Sequence, residues 1–190
     1  ASGGWFGVLM LAAGLLAGPS VAAGQTPASI MGMISSTTVS SADESRIESY
    51  VNHYADQLAS GGDAAAEAVE RLLEPVSTTA ASRSFRGAFG RVAVDRLGRI
   101  LSDPPSPFVA TNALVILSKV GTPGALAALV READGRDQGD WWIRLAAARG
   151  ARQLLKDARG DAIDDRTRLR TSRDLSEMAA RETDARVLRH

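Results

Sequence analysis

A helical pattern that occurs twice, 34 residues apart, limits what this chain can fold into more than any other feature. Two sets of apolar residues share the spacing 4, 3, 4: they are Val109, Ala113, Ile116 and Val120, followed by Ile143, Ala147, Gly150 and Leu154. This spacing places each set on one face of an α-helix. Helical units that recur at roughly 20 to 50 residues bury their apolar faces by stacking on one another. The pattern therefore predicts an all-α fold made of stacked helix pairs.

Residues that begin and end helices stand at the boundaries of this pattern. Ser106 and Pro107 are a typical N-cap and first helical residue. Gly121-Thr122-Pro123 ends one helix and begins the next, because Gly accepts a left-handed conformation, Thr caps, and Pro suits the first helical position. Asp140 is expected to cap a helix that begins at Trp141. The predicted unit is thus a helix, a tight turn and a helix, followed by another helix.

Three more helices are predicted before the repeat. Ser41 and Glu44 match a capping box at the start of the first helix. Asp63 is expected to cap the second helix and Pro75 to close it, and the third helix begins near Ser82. The predicted core faces are, in chain order, Ile47, Tyr50, Val51, Tyr54 and Leu58; Ala66, Val69, Leu72 and Leu73; and Phe85, Phe89, Ala93, Leu97 and Ile100.

The first 23 residues are predicted to be a signal peptide or a membrane anchor. Residues 5–17 are an uncharged apolar run of the length of a signal-peptide core, and Pro19 follows it. Residues 20–23 then place small side chains at the positions that a signal peptidase requires. The competing interpretation is an anchor, because residues 3–23 carry no charge and a membrane span needs about 20 apolar residues. Either interpretation predicts a protein that is periplasmic, secreted, or anchored in the inner membrane of a bacterium.

The rest of the sequence divides into a linker and a helical domain. Residues 24–41 are rich in Ser, Thr and Gly, which favours a linker, although Ile30 and Met33 are apolar enough for part of it to dock on the first helix. Residues 42–190 are predicted to form the helical repeat domain. Because no polar capping sequence precedes His190, two interpretations stay open, an array truncated at its C-terminus and an ordinary frayed end.

Composition and charge argue against several classes of function. The 22 basic and 22 acidic residues cancel, so no overall field attracts nucleic acid or an anionic membrane. Cysteine is absent, which removes disulfides, thiol catalysis and cysteine zinc sites. The only histidines are His53 and His190, and the short signatures of phosphate loops, serine hydrolases and zinc peptidases are missing. We therefore expect no catalytic residue, no cofactor and no metal site.

Trp141, Trp142 and Arg144 are the candidate partner-binding residues. Trp and Arg are enriched among the residues that contribute most to protein–protein binding. Adjacent residues on a helix point about 100° apart, so the two tryptophans cannot both lie in one core face. One interpretation places one ring on a binding surface, and the alternative wedges both rings between neighbouring repeats at the start of the helix.

The segment Ser106–Lys156 resembles HEAT-type repeats, including the bacterial HEAT-like repeats first named for phycobilin lyases. In that family an A helix of the form V-R-x-x-A-A-x-A-L is followed by a B helix with G-x-x-x-A-x-x-x-L. The matching residues are Ile143-Arg144 and Ala146-Ala147 for the A helix, and Gly121, Ala125 and Leu129 for the B helix. Gly150 departs from the pattern, because an aliphatic residue or Ala is expected there. The resemblance implies a right-handed stack of antiparallel helix pairs, a HEAT-like α-solenoid preceded here by an apolar N-terminal helix, and it carries over no catalytic residue.

Helical repeat proteins present extended surfaces to other molecules, and this property leads to the predicted function. We expect an exported or membrane-tethered scaffold whose partner is another protein. Nucleic acid is not an expected partner, and a membrane is expected only through residues 1–23 if they are not cleaved. The alternative is an enzyme, or an accessory domain of an enzyme such as a lyase-like HEAT protein, whose catalytic part lies outside this sequence.

Overall fold

The computed structural model of the chain describes residues 27–135, 140–157 and 163–188, and all regular structure in these ranges is helical. The α-helices are α1 (Ser41–Ser60), α2 (Gly62–Ser77), α3 (Arg83–Ser102), α4 (Pro107–Val120), α5 (Pro123–Asp134), α6 (Trp141–Asp157), α7 (Asp165–Arg181) and α8 (Ala185–Leu188). The prediction of an all-α fold is confirmed. The apolar helix predicted within residues 1–23 lies outside the described residues. None of the helices in the described ranges combines the length and the apolar character needed to cross a membrane.

The helices pack in two rows that alternate along the chain. Neighbours in sequence form the pairs α1–α2, α3–α4 and α5–α6. In addition, α1, α3, α5 and α7 contact one another in succession, and we call them the odd row. The helices α2, α4, α6 and α8 do the same and form the even row. Each pair therefore meets the next pair through both of its helices.

The two copies of the apolar pattern lie on α4 and α6, which pack against each other in the even row. All four members on α4 are fully buried, and so are Ala147 and Leu154 on α6, with Ile143 only 4 % exposed. Gly150 holds the remaining position. A Cβ atom there would lie 3.0 Å from Cδ2 of Leu129 and 3.5 Å from Cβ of Ser118. The departure from the repeat pattern at Gly150 thus allows α6 to approach α4 and α5 closely.

Most helices begin where the sequence predicts, and α1 and α2 are the exceptions. Helix α2 begins at Gly62 with Gly61 as its N-cap and no side-chain cap, so the predicted cap Asp63 lies inside the first turn. The side chains of Ser82, Ser106 and Thr122 cap α3, α4 and α5, and Gly121 has the expected left-handed conformation with φ of 71°. The capping box of α1 is formed by Ser40 and Asp43, one residue before the predicted Ser41 and Glu44. Glu44 instead accepts a hydrogen bond from Arg91 of α3.

The second helix differs from the prediction in its end and in its buried face. Pro75 lies inside α2 rather than closing it. A proline cannot donate to the carbonyl four residues earlier, which belongs to Arg71. The hydroxyl of Tyr50 on α1 donates to that carbonyl at 2.8 Å, so the carbonyl keeps a partner and the helix continues. The buried residues of α2 are Ala65, Ala68, Leu72, Pro75 and Val76, so the predicted Ala66 faces solvent and Leu72 is the one predicted residue that is fully buried.

Part of the predicted linker belongs to the packed domain. Ile30 is fully buried and Met33 is 8 % exposed. The amide of Ser82 donates to the carbonyl of Ile34 at 2.7 Å, and the Ser84 hydroxyl donates to the carbonyl of Thr37 at 2.6 Å. The packed chain therefore begins before residue 42, and this segment is held against the start of α3.

Substituting Gly90 by Ala is expected to destabilise the fold by about 1 to 3 kcal/mol, the usual cost of overpacking. A Cβ at Gly90 would lie 2.8 Å from Cγ2 of Thr122 and 3.0 Å from Cγ1 of Val120. Thr122 cannot easily turn away, because its hydroxyl caps α5.

Gly87 on the same helix is the matched control, since nothing lies within 4 Å of its added Cβ. Gly87→Ala is expected to gain about 0.5 to 1 kcal/mol from helix propensity. Urea unfolding of the two variants measures the difference, and equal midpoints would contradict the close contact.

Substituting Tyr50 by Phe is expected to cost about 1 to 3 kcal/mol, because the part-buried carbonyl of Arg71 loses its donor. The same substitution in a Pro75→Ala background is expected to cost less than half as much, since the amide of residue 75 can then donate to that carbonyl. Urea unfolding of the four chains in this double-mutant cycle measures the coupling. Tyr54→Phe is the control, because the neighbouring buried phenol makes no hydrogen bond with the described residues. Additive effects of the two substitutions would contradict the compensation.

Candidate protein-interaction surface

The two candidate tryptophans lie at the start of α6 and point to different surroundings. The guanidinium carbon of Arg186 lies 3.9 Å from the ring centroid of Trp141, a cation–π contact. Trp142 is half-buried and packs against the hydrophobic core. Both rings therefore make contacts within the chain. Binding by Trp141 or Trp142 stays a prediction, and a partner of Trp141 would have to share the ring with Arg186 or displace it.

Arg144, the third candidate, forms a two-point ion pair with Glu182, the residue that follows α7. The Nε atom of Arg144 lies 3.1 Å from Oε2 of Glu182, and Nη2 lies 3.2 Å from Oε1. The two side chains are only 17 % and 13 % exposed. Such parallel hydrogen bonds fix the relative orientation of the two groups. Arg144 thus has a structural role in holding the segment after α7 against α6.

The carboxylates of this C-terminal segment are stabilised in their charged forms. The Asp184 amide and the Arg144 side chain donate to Glu182 and lower the pKa of that carboxyl. Hydrogen bonds from the side chain and the amide of Arg186 lower the pKa of Asp184 to about 2. We call Trp141, Arg144, Glu182, Asp184 and Arg186 together the C-terminal clasp. It joins the start of α6 to residues some 40 positions later in the chain.

An open groove runs between α3 and α5 on the odd row and ends at the first turn of α6, with a volume of about 870 Å³. Among its lining residues are Val94, Asp95, Gly98 and Arg99 of α3, Arg131, Glu132 and Asp134 of α5, and Ile143 and Arg144 of α6. Of the three candidate residues, only Arg144 lines this groove. Gly98 leaves space in the α3 wall, because an added Cβ would lie 3.7 Å from Nη2 of Arg131, an ordinary contact distance.

The walls of the α3–α5 groove carry charges of both signs. Arg99 pairs with Asp95 at 2.6 Å, and Arg131 pairs with Glu132 at 3.1 Å. The Arg99–Asp95 pair is exposed, so it contributes little to stability and can exchange partners at low cost, whereas in the second pair Arg131 is exposed and the Glu132 side chain is only 13 % exposed. The groove can therefore offer donors and acceptors to a polar segment of another chain. The sequence analysis did not predict this groove, because its two walls belong to helices that are not neighbours in sequence.

The described residues do not assemble a recognisable catalytic or metal-binding arrangement. They contain no group of three or more Asp, Glu or His side chains close enough to hold a metal ion. The Nε2 atom of His53 lies 3.0 Å from Nε2 of Gln57 on the same helix, and the ring packs edge-on against Tyr54. The grooves between helices are open rather than enclosed.

Lowering the pH from neutral to about 2 is expected to release the C-terminal clasp before the rest of the chain unfolds. The pKa values of Glu182 and Asp184 are lowered in the folded state, so their contribution is present above their unfolded pKa values near 4 and is lost as the pH falls through the folded ones. The indole signal of Trp141 in NMR spectra, assigned with Trp141→Phe, should move while the signals of α1 to α4 persist. Simultaneous loss of all signals would contradict a separate clasp.

The same clasp is expected to loosen at neutral pH when Glu182 is replaced by Gln. Amide protection of residues 183–186 should fall about tenfold, because Arg144 loses a charge-assisted partner. Glu177→Gln provides the control, since that exposed carboxylate lies on α7 and makes no side-chain hydrogen bond with the described residues. Hydrogen exchange measures both variants, and an unchanged protection pattern in the Glu182 variant would contradict the role of the ion pair.

The chain was compared with known proteins of three kinds. No protein-family model, no curated protein and no solved structure matches it. A functional assignment therefore depends on the residues and geometry of the chain itself.

Proposed function

We propose that this protein is a helical-repeat scaffold that binds another protein and catalyses no reaction of its own. The observation that carries the proposal is the pairing of every helix in the odd and even rows with the next helix of its own row. This is the neighbour relationship of stacked helix pairs, in which each unit contacts only adjacent units. We further propose a right-handed, HEAT-like α-solenoid, which the location of the sequence repeat on adjacent helices α4 and α6 supports.

The site of partner binding in this proposal is the α3–α5 groove. Extended partner segments bind along grooves between helices, where they can gain both side-chain and polar contacts. The groove offers Arg99 and Arg131 as donors and Asp95 and Glu132 as acceptors, with Val94 between them as an apolar contact. Arg144 lies at its α6 end and links the groove to the C-terminal clasp.

The proposed location of the scaffold is the periplasm, the cell exterior or the outer surface of the inner membrane. Support for this part comes from the amino-acid sequence of residues 1–23, with its uncharged apolar run and its small residues after Pro19. Fractionation of cells that express the full-length chain tests this location. Recovery in the soluble cytoplasm with an intact N-terminus would contradict export and leave the scaffold proposal in place.

A bulky residue in the groove is expected to block partner binding without unfolding the protein. Gly98→Leu adds a side chain to the α3 wall, and it also favours the helical conformation. Gly87→Leu is the matched control on the same helix, because nothing lies within 4 Å of its added Cβ and it does not line the groove. We expect a partner retained by the wild type to bind Gly98→Leu at least about tenfold more weakly and Gly87→Leu equally well.

Affinity capture from cells of the source organism, followed by titration of the retained protein, measures this difference. Thermal unfolding of both variants controls for misfolding. Equal affinity of the two leucine variants would remove the groove from the proposal. Turnover of a small molecule by the purified chain would contradict the non-enzymatic part.

A further inference from the structure

The outward face of α2 carries a continuous row of acidic side chains. The residues are Asp63, Glu67, Glu70 and Glu74, at spacings of 4, 3 and 4, and all four are exposed. This spacing keeps them on one helix face, opposite the buried Ala65, Ala68 and Leu72. We call them the acidic stripe. Arg71 at its edge pairs with Glu67 at 3.5 Å and with Glu74 at 3.9 Å, while Asp63 and Glu70 have no ion pair within the described ranges.

The outward face of α6 carries the opposite charge. Arg149, Arg152 and Lys156 are exposed, and their spacings of 3 and 4 place them on one face, which we call the basic stripe. None of the three forms an ion pair or a side-chain hydrogen bond with the described residues. In this they differ, within the described ranges, from Arg144 on the same helix, which is held by Glu182.

An apolar stripe on α4 lies between the two charged stripes. Phe108 is 51 % exposed and Val115 is 40 % exposed, and the seven-residue spacing puts them on the same side of α4. Helix α4 packs against both α2 and α6, so it separates them in the even row. Lys119 of α4 reaches Asp157 of α6 at 3.4 Å, which shows that these two helices share this outer surface. The even row thus presents an acidic, an apolar and a basic stripe in order.

We propose that this three-stripe face of the even row is a dimer interface between two copies of the chain. A twofold axis parallel to α4 turns one copy so that its acidic stripe meets the basic stripe of the other, and both such contacts form at once. The same rotation brings Phe108 and Val115 of the two copies together in the centre. An apolar centre with a charged rim is the usual anatomy of a protein interface.

The order of the stripes favours a twofold axis parallel to α4, and it favours a second copy of the chain as the partner. A twofold axis perpendicular to the helices would place α2 on α2 and α6 on α6, and the juxtaposed like charges would oppose association. In contact with a second copy, each charged stripe meets a stripe of opposite charge. The chain has zero net charge, so no long-range repulsion keeps the copies apart. The interface is separate from the α3–α5 groove on the odd row, so the dimer does not depend on the proposed scaffold function.

Reversing one stripe is expected to separate the copies. Glu67→Arg with Glu70→Arg and Glu74→Arg leaves one acid and three bases on the α2 stripe, so both stripes are then basic, and Arg149→Glu with Arg152→Glu and Lys156→Glu makes both acidic. Each triple variant of the full-length chain should dissociate at least about tenfold more readily than the wild type, because like charges then face each other across the interface. The wild type should show twice the mass of one chain in sedimentation equilibrium, and added salt should weaken it.

Two rescue experiments distinguish this interface from a general effect of charge. A chain with all six substitutions exchanges the signs of the two stripes, so it should form a dimer again. An equimolar mixture of the two triple variants should form a mixed dimer, because the basic face of one matches the acidic face of the other. Val115→Ser should weaken the wild-type dimer without changing its response to salt.

Control variants alter the same charges on the odd row. Glu48→Arg with Glu177→Arg and Arg46→Glu with Arg170→Glu change exposed residues of α1 and α7 that form no ion pair with the described residues, and they should leave the dimer intact. Circular dichroism confirms folding of every variant. A wild type that stays monomeric up to about 0.2 mM would overturn the proposal and leave this face to a different protein. Failure of the two triple variants to form a mixed dimer would overturn it as well.

Discussion

The close contact between α3 and the turn that joins α4 to α5 is the constraint on which the packing depends. Gly90 meets Thr122 and Val120 at distances that leave no room for a Cβ atom. Because the turn ends one helix and begins the next, this contact positions three helices at once. A second glycine, Gly150, has the same role between α6 and Leu129 of α5. Aromatic residues make up only 5 % of the chain, so its core is built mainly from small and aliphatic side chains and gains density from short distances between helices.

The backbone of α2 shows how the odd and even rows depend on each other. Pro75 removes the hydrogen bond that would satisfy the Arg71 carbonyl, and the Tyr50 hydroxyl on α1 replaces it. Burial raises the pKa of Tyr50 to about 12, so the phenol keeps its proton and stays a donor throughout the neutral range. The proline therefore couples the continuity of α2 to its packing on α1. Neither helix alone would explain why α2 continues to Ser77.

The sequence predicted the helices well where their signals are local, but it did not predict the contacts between distant parts of the chain. The caps at Ser82, Ser106 and Thr122 depend on hydrogen bonds three residues away, which the chain makes whatever its tertiary structure. At the start of α1 two capping-box patterns overlap, Ser40 with Asp43 and Ser41 with Glu44, and the first of them forms the cap. Contacts between distant residues leave no local signal: Glu44 pairs with Arg91, 47 residues later, and Arg144 pairs with Glu182, 38 residues later. The α3–α5 groove forms only where two helices that are not neighbours in sequence lie side by side, so no local sequence pattern predicts it.

The two rows use their charges differently, and this difference explains how a chain of zero net charge can have a specific surface. In the odd row, ion pairs connect successive helices: Glu44 with Arg91, Asp56 with Arg96, and Asp134 with Arg181. In the even row, Lys119 of α4 pairs with Asp157 of α6, but the acids of α2 and the exposed bases of α6 lie on opposite sides of α4 and form no ion pair with each other. Their charges cancel in the total but not across the surface. Separated opposite charges on one surface attract each other only weakly within a single chain, because water and salt screen them. Their favourable energy is realised only when a complementary surface meets them, and a rotated copy of the same face is such a surface.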